Sequence, residues 1–425
     1  MQQLEKKPLK VLHLCESDIG GGAARAAFRI HRALVTAGVD SRMAVMHKMS
    51  DDWRVIGPST SSLRSLAKVW ANMANCWAAV IHGKRNSAVN DAAFPGFFRF
   101  MKVPFVPDVL HLHYVMGGMI RLEDLRFFRR PIVWTLHDEW PLTGGCSYDG
   151  GCERYREGCG RCPLIQPTRM NDITRKTYKR KQRAWEDVRL ELVALCHWMK
   201  TKIEASPVFS GHRVHLIPNP IDLSSFKPYP RTMAREILGL NPHKKYVLFG
   251  AFGGSEWEKP GRKGGDLLLQ ALQTMPTGFK ETVELLVFGA AEPESKINFG
   301  FPVRYCGKLS DDITLALHYS AANLFVAPSR EDNLPNTVVE SLACDTPVVA
   351  FNIGGMPDMI SHKETGWLSP SFDVNDLAAG ISWMLNEGES LHGRMRAFAE
   401  ARFMPDAIAR AYGDVYDGLL KEPQK

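Results

Sequence analysis

Two carboxylates, Asp332 and Glu340, stand eight residues apart in the stretch from Pro328 to Gly355. They follow a short apolar run, Asn323 to Ala327, that reads as a strand. Pro328 cannot continue a ladder, so Ser329 to Asn333 are expected at the carboxyl edge of a sheet, where open α/β sheets bind ligands. A helix from Asn336 or Thr337 to about Cys344 would carry Glu340 in its first turns, close to N–H groups that favour anions. A carboxylate so placed can hold sugar hydroxyls beside a bound phosphate. Taken alone, the pair is more often a helix cap and a solvated surface charge.

Stabilising a leaving diphosphate needs fixed cations and N–H donors, and Arg262-Lys263-Gly264-Gly265 at a helix start supplies both. In isolation such a pair is usually a mere helix entry. A second anion cradle is expected where the strand Lys10 to Cys15 runs through Asp18-Ile19-Gly20-Gly21-Gly22 into the helix Ala23 to Ala37. The full dinucleotide fingerprint is not met there, so a plain tight turn is an equal reading. His137 closes the strand Ile132 to His137; a lone histidine in that position is more often hydrogen-bonded structure than chemistry. Asp138 and Glu139 follow it as candidates to orient an acceptor hydroxyl or take its proton.

The elements that must position these groups alternate between β-branched apolar runs and helical stretches, as in parallel sheets. In the first half, strands are expected at Arg42 to His47, Val109 to His113 and Glu191 to Cys196, with a less regular, aromatic stretch, Asp51 to Pro107, reading as an insertion on the acceptor side. In the second half they are expected at Tyr246 to Ala251, Val283 to Gly289, Val303 to Tyr305, Leu324 to Ala327 and Val348 to Phe351, with a glycine turn at Gly253-Gly254 and a helix Gly264 to Thr274. A chain of 425 residues, 45% hydrophobic, suits two domains rather than one core. The division expected is 1–205 with a closing helix from 406, and 206–405.

Four of the nine cysteines, Cys146, Cys152, Cys159 and Cys162, crowd into a glycine-rich loop at 144–163. The spacing suits a closed, structural zinc site; two disulfides are the competing reading, disfavoured in a chain read as cytosolic and without a leader. The segment Thr168 to Arg189 carries Arg169, Arg175, Lys176, Lys179, Arg180, Lys181 and Arg183. It reads as a solvated helix face or, functionally, as a docking surface for anionic lipid headgroups at a membrane. The net charge of +7 is modest and spread out, which gives nucleic-acid binding little support, and no segment has the length of a membrane span.

The whole set resembles the retaining family-4 glycosyltransferases of the two-domain GT-B type. The residues that carry the resemblance are Asp332 with Glu340, then Cys344 to Ala350, Gly354-Gly355, and Ile217-Pro218-Asn219-Pro220-Ile221-Asp222. The cysteine-rich loop after Thr135-Leu136-His137-Asp138 is similar to that of a subset associated with colanic acid and other exopolysaccharides. The resemblance implies an α/β fold of two doubly wound, Rossmann-like domains facing each other across a cleft. It further implies a nucleotide-sugar donor held by the second domain, a saccharide acceptor that is glycan or lipid-linked, and no catalytic metal. By resemblance Glu340 binds the ribose hydroxyls, Asp332, Asn333 and Leu334 meet the donor sugar, and His137 contacts that sugar. Lys263 binds phosphate and Gly21 and Gly22 lie by it, with Gly253 on the donor side. Two departures stand out: the first acid is Asp rather than Glu, and Phe249-Gly250-Ala251-Phe252 occupies the place of an arginine for which Arg262 would substitute. The rival of a different class is a noncatalytic regulator of the same fold that binds a sugar nucleotide or polysaccharide.

Overall fold

The computed structural model describes residues 7–82, 89–250, 257, 259–279, 281–294 and 297–421. The chain divides into two compact units, Met1–Pro220 with Pro405–Lys425, and Ile221–Met404.

The first unit contains β1 (Lys10–Ser17), α1 (Gly22–Thr36), β2 (Asp40–His47), β3 (Val55–Ile56), α2 (Ser61–His82), β4 (Val109–Leu112) and β5 (Ile132–Leu136). It continues through α3 (Ile173–Trp185), β6 (Leu190–Ala194), α4 (His197–Glu204) and β7 (Val214–Leu216). Its strands form a parallel sheet of seven in the order β3-β2-β1-β4-β5-β6-β7. β4, β5 and β6 are buried along their whole length, which is why they read as mostly apolar rather than alternating, with one polar residue apiece, His111, Thr135 and Glu191. The order reverses between β1 and β4, so the carboxyl ends of these strands flank the crevice where such sheets take ligands.

The second unit contains α5 (Arg231–Ile237), β8 (Lys245–Gly250), α6 (Gly265–Thr274), β9 (Val283–Phe288), β10 (Val303–Gly307), α7 (Asp312–Ala321) and β11 (Leu324–Ala327). It continues through α8 (Asn336–Ala343), β12 (Val348–Phe351), α9 (Met356–Met359), β13 (Gly366–Ser369), α10 (Val374–Glu387) and α11 (Arg394–Phe403). Its six parallel strands run β10-β9-β8-β11-β12-β13, and the reversal falls between β8 and β11. The last helix, α12 (Pro405–Lys421), belongs to the first unit. Its Ile408, Tyr412, Tyr416 and Leu419 are buried with Ile30 and Leu34 of α1 against Val11, Val109 and Val133.

Two stretches differ from expectation. Within the aromatic segment, Ser61–His82 is one long helix, because Ala67, Ala71 and Ala74 recur at helical spacing and bury one face. Trp70 and Trp77 of that helix pack edge-on against Phe94, and the Trp70 indole donates to the Pro95 carbonyl. The basic segment is helical only over α3, and its cations do not form one solvated face. Lys181 is fully buried, Arg180 pairs with Glu123 at 2.8 Å, and Arg175 donates to the Glu157 carbonyl, leaving Arg169, Lys176, Lys179 and Arg183 exposed.

Candidate active site

β11 ends at Ala327 and the chain turns through Pro328 to Asn333 at the reversal point of its sheet. Asp332 is buried there, its Oδ2 2.6 Å from Lys263 Nζ, 3.3 Å from the Arg262 guanidinium and 3.2 Å from the Ser329 hydroxyl that donates to it. Burial raises the carboxyl's pKa, but the charges of Lys263 and Arg262 more than reverse this and hold it below the ordinary 3.8. Asp332 is therefore not a helix cap: Pro335 occupies that position in front of α8, while the Asp332 carbonyl accepts from Gly355 N–H.

Two glycines make this loop geometry possible. Gly264, at φ +68°, precedes α6 so close to β11 that a Cβ would stand 1.8 Å from the Pro328 carbonyl oxygen. Gly354, at φ +51°, would bring a Cβ to 2.0 Å from the Asp332 carbonyl oxygen. Both positions combine a left-handed backbone with a close approach that only glycine permits. A clamp absent from the sequence-based reading joins the same two loops: Arg330 forms two bonds to the Asp266 carboxylate, at 2.7 and 2.6 Å, and a third to the Gly261 carbonyl. Its only sequence signal is an arginine beside Asp332 and an acid beside Gly265.

Glu340 lies inside α8, 3% exposed, and its Oε2 accepts from the Tyr319 hydroxyl at 3.2 Å. A carboxylate this enclosed is not a solvated surface charge. Asn333 and Leu334 are buried beside Asp332 in the chain. Gly253 lies outside the described residues.

In the first unit the glycine turn follows β1 directly. Gly20 N–H donates to the Ser17 hydroxyl, Gly21 has φ +129°, and Gly22 opens α1. Buried Asp18 holds the turn against the next loop by accepting from the N–H groups of Met49 and Ser50. At the end of β1, Glu16 is pushed up to about 7 by burial, a carboxyl poised near neutrality that the sequence-based reading passed over.

His137 follows β5 and is half-buried. Its Nε2 lies 3.0 Å from His113 Nδ1, and His113 Nε2 lies 2.8 Å from His13 Nδ1. His111, on the same face of β4 as His113, bonds the Thr135 hydroxyl and the Tyr416 hydroxyl. Burial lowers the pKa of each of these imidazoles, that of His137 to about 3, so all are neutral at pH 7.

Glu139 is placed differently from Asp138. It is fully buried and pairs with Lys202 at 2.9 Å, and Lys202 also holds Asp149 at 3.1 Å. Lys202 thereby ties α4 to the loop after β5, with Glu139 as an anchor of that loop. Asp138 is half-buried and accepts from Trp140 N–H.

The cysteine loop does not form the expected zinc site. Among the described residues, no three of Cys146, Cys152, Cys159 and Cys162 bring their sulfurs within 4.8 Å of one another, and all four are free thiols. The Cys159 sulfur accepts from Gly144 N–H, and Cys162 packs with Val89 and Ile165. Burial pushes the Cys146 thiol up to about 12 and that of Cys159 to about 11. The loop is fastened instead by Lys202 and by carboxylates. Asp149 accepts from the Gly151 and Glu153 N–H groups and Asp172 from Cys162 N–H, while buried Lys181 donates to the carbonyls of Trp140 and Thr143.

Comparisons with known proteins agree with this architecture. A family model described as Glycosyltransferase Family 4 matches residues 20–225, and one described as Glycosyl transferases group 1 matches 248–387. D-inositol 3-phosphate glycosyltransferase 2 of Catenulispora acidiphila is 29% identical over 231 residues, which is 49% of this chain and 52% of that protein. A protein of Escherichia coli K12 named for colanic acid biosynthesis as glycosyl transferase WcaC is 24% identical over 269 residues, 57% of this chain and 60% of its own length. The chain thus spans about half the length of the curated relatives it matches. Among solved structures, Anabaena HepE in complex with UDP-glucose superposes with a TM-score of 0.60 over 96% of this chain and 100% of that one, at 17% identity, a likeness of fold.

Proposed function

Because the chain belongs to the glycosyltransferases whose family-4 and group-1 domains it carries, we propose that it moves a hexosyl or deoxyhexosyl unit from a nucleotide sugar to a surface-polysaccharide acceptor with retention of configuration. The observation that carries this reading is the cluster at the reversal point of the second sheet. Lys263 and Arg262 share one oxygen of buried Asp332 there, and buried Glu340 lies inside the helix that follows. HepE, of like fold, has been captured with UDP-glucose, and the relative WcaC is named for an exopolysaccharide; both support the choice of donor class and acceptor class.

In the proposed reaction the bond between the sugar carbon and the diphosphate oxygen breaks and its electron pair stays with the diphosphate. Lys263 and Arg262 meet that growing negative charge, with Asp332 holding both cations in place beforehand. The acceptor oxygen bonds the same face of the sugar carbon, and its proton passes to an oxygen of the departing phosphate. Glu340 accepts from the ribose hydroxyls, Asn333 and Leu334 border the donor sugar, and His137 and Asp138 act on the sugar and the acceptor. The acceptor is lipid-linked in this proposal, and the exposed cations of α3 are the part of the chain that would touch anionic headgroups; no described helix is long and apolar enough to cross a membrane. The alternative, a noncatalytic binder of a sugar nucleotide or polysaccharide, draws on the same ion pair, since Asp332 is already engaged by Lys263.

The test is a panel of UDP-, GDP- and ADP-sugars scored for thermal stabilisation and for nucleotide release with a lipid-linked acceptor extract, beside Glu340→Ala. Stabilisation by one nucleotide class, at least tenfold weaker binding in Glu340→Ala, and acceptor-dependent release are expected. Binding without release would favour the noncatalytic reading, and no binding would end both.

A further inference from the structure

One buried polar array in the first unit has no part in the reaction as described so far. His13 on β1 and His111 and His113 at β4 stack face to face or tilted, with ring centroids 4.2 to 5.1 Å apart. Three imidazoles in a sheet interior are costly unless their nitrogens are satisfied. Those of His111 are, by Thr135 and Tyr416. His113 uses both of its nitrogens on other histidines, Nε2 on His13 and Nδ1 on His137.

A neutral imidazole has one N–H and one bare nitrogen, so a chain of them must point its protons one way. The free end decides which way. His13 Nε2 is buried and has no hydrogen-bond partner among the described residues. Were the protons to run inward from His137, that nitrogen would carry an orphaned N–H, the rarest and costliest kind of unsatisfied group. Running outward, it is a bare acceptor and the N–H groups of both buried rings, His13 and His113, are used.

Resting on the proposed transferase reading, we infer that His13 and His113 are positioning residues that fix His137 in its Nδ1–H tautomer, with Nε2 as acceptor. His13 Nδ1–H donates to His113 Nε2, and His113 Nδ1–H donates to His137 Nε2. His137 then carries its proton on Nδ1 and cannot offer Nε2–H. Exchange of a single ring in this relay therefore changes which hydrogen bond the site can make without touching the site itself.

The experiment is a long-range 1H–15N spectrum of the full chain labelled at histidine, at pH 7, with His137 assigned by loss of its signals in His137→Gln. A pyrrole-type Nδ1 and a pyridine-type Nε2 on His137 are expected. An Nε2–H tautomer in the unaltered chain overturns the inference, as does a transition metal bound by the nitrogens of His13 and His113, because it would occupy the positions the relay uses. In His113→Leu the His137 tautomer is expected to become mixed, with kcat falling roughly tenfold and the donor KM little changed. His113→Gln, whose amide N–H can still donate to His137, is expected to recover most of that loss; equal losses in the two variants contradict the relay. The spectrum needs no substrate, so a chain without transferase activity refutes the proposed function while the tautomer still decides this inference.

Discussion

The ammonium of Lys263 stands 2.6 Å from Oδ2 of Asp332, 69 residues away in the chain. Arg262 reaches the same oxygen at 3.3 Å, so two cations share one buried carboxylate. This keeps the pair fixed before any anion arrives, and fixed charges need no reorganisation when a diphosphate begins to leave.

Lys263→Met is therefore expected to lower transfer by about a hundredfold while costing only about 1–2 kcal/mol of stability, since Arg262 still partners Asp332 and the lysine is partly solvated. The double variant Lys263→Met with Asp332→Asn is expected to regain stability but not activity. Denaturant titration and nucleotide release on the four proteins of this cycle check it; a Lys263→Met chain that transfers within twofold of the parent removes the lysine from the phosphate site.

Lys202 stands between two buried carboxylates, Glu139 and Asp149. Burial lowers its pKa but the charges of Glu139 and then Asp149 raise it above the ordinary value. Lys202→Met would strand those carboxylates and is expected to cost about 3 kcal/mol at pH 7. The loss should shrink as pH is lowered toward 5, because a carboxyl without its cation takes up a proton more readily. A loss that grows on acidification would contradict the pairing.

The histidines give the first unit a pH signature. His31 is lowered to about 4 and His137 to about 3, chiefly by burial, and both titrate near 6.5 when unfolded. Between those values the unfolded chain binds more protons, so stability rises with pH through the window and is lost as pH falls below 6.5. Each of the two should contribute about 1–2 kcal/mol of loss by pH 5. Hydrogen exchange at pH 7 and pH 5 should show β1, β4 and β5 losing protection ahead of β8, β11 and β12; equal losses would contradict it.

Since the thiols of Cys146, Cys152, Cys159 and Cys162 do not converge, a strong chelator is expected to leave Tm unchanged. A structural zinc would contribute on the order of 10 kcal/mol, and its removal would be plain in a melting curve. A large drop in Tm with EDTA would restore the zinc reading.

Much of the architecture was legible in sequence because it is local. Leu324 to Ala327 and Val348 to Phe351 are apolar runs buried on both faces, and no other element type fits runs so short between helices. The strand Gly366–Ser369 escaped notice because Gly366, Trp367, Leu368 and Ser369 show no β-branched run, and its pairing with β12 supplies what its sequence lacks. The helix Ser61–His82 was hidden by its aromatics, which drew attention from the alanines that face inward.

The candidate site was legible by neighbourhood but not by partnership. Asp332, Lys263 and His137 lie at element ends, and Glu340 within the helix that follows Asp332, placements that sequence alone determines because strand termination by Pro328 and helix entry at Gly264 are short-range events. Which groups they meet was decided only by the tertiary structure. Arg330 meets Asp266 across 64 residues, His13 meets His113 across 100, and Lys202 pairs with Glu139. The cysteines show the same limit from the other side: their spacing puts four thiols in one loop, but where the sulfurs point is set by the folded loop, which Lys202 and Lys181 fasten. Side-chain pairing over such separations depends on strand order and sheet register, which emerge only when the whole chain folds.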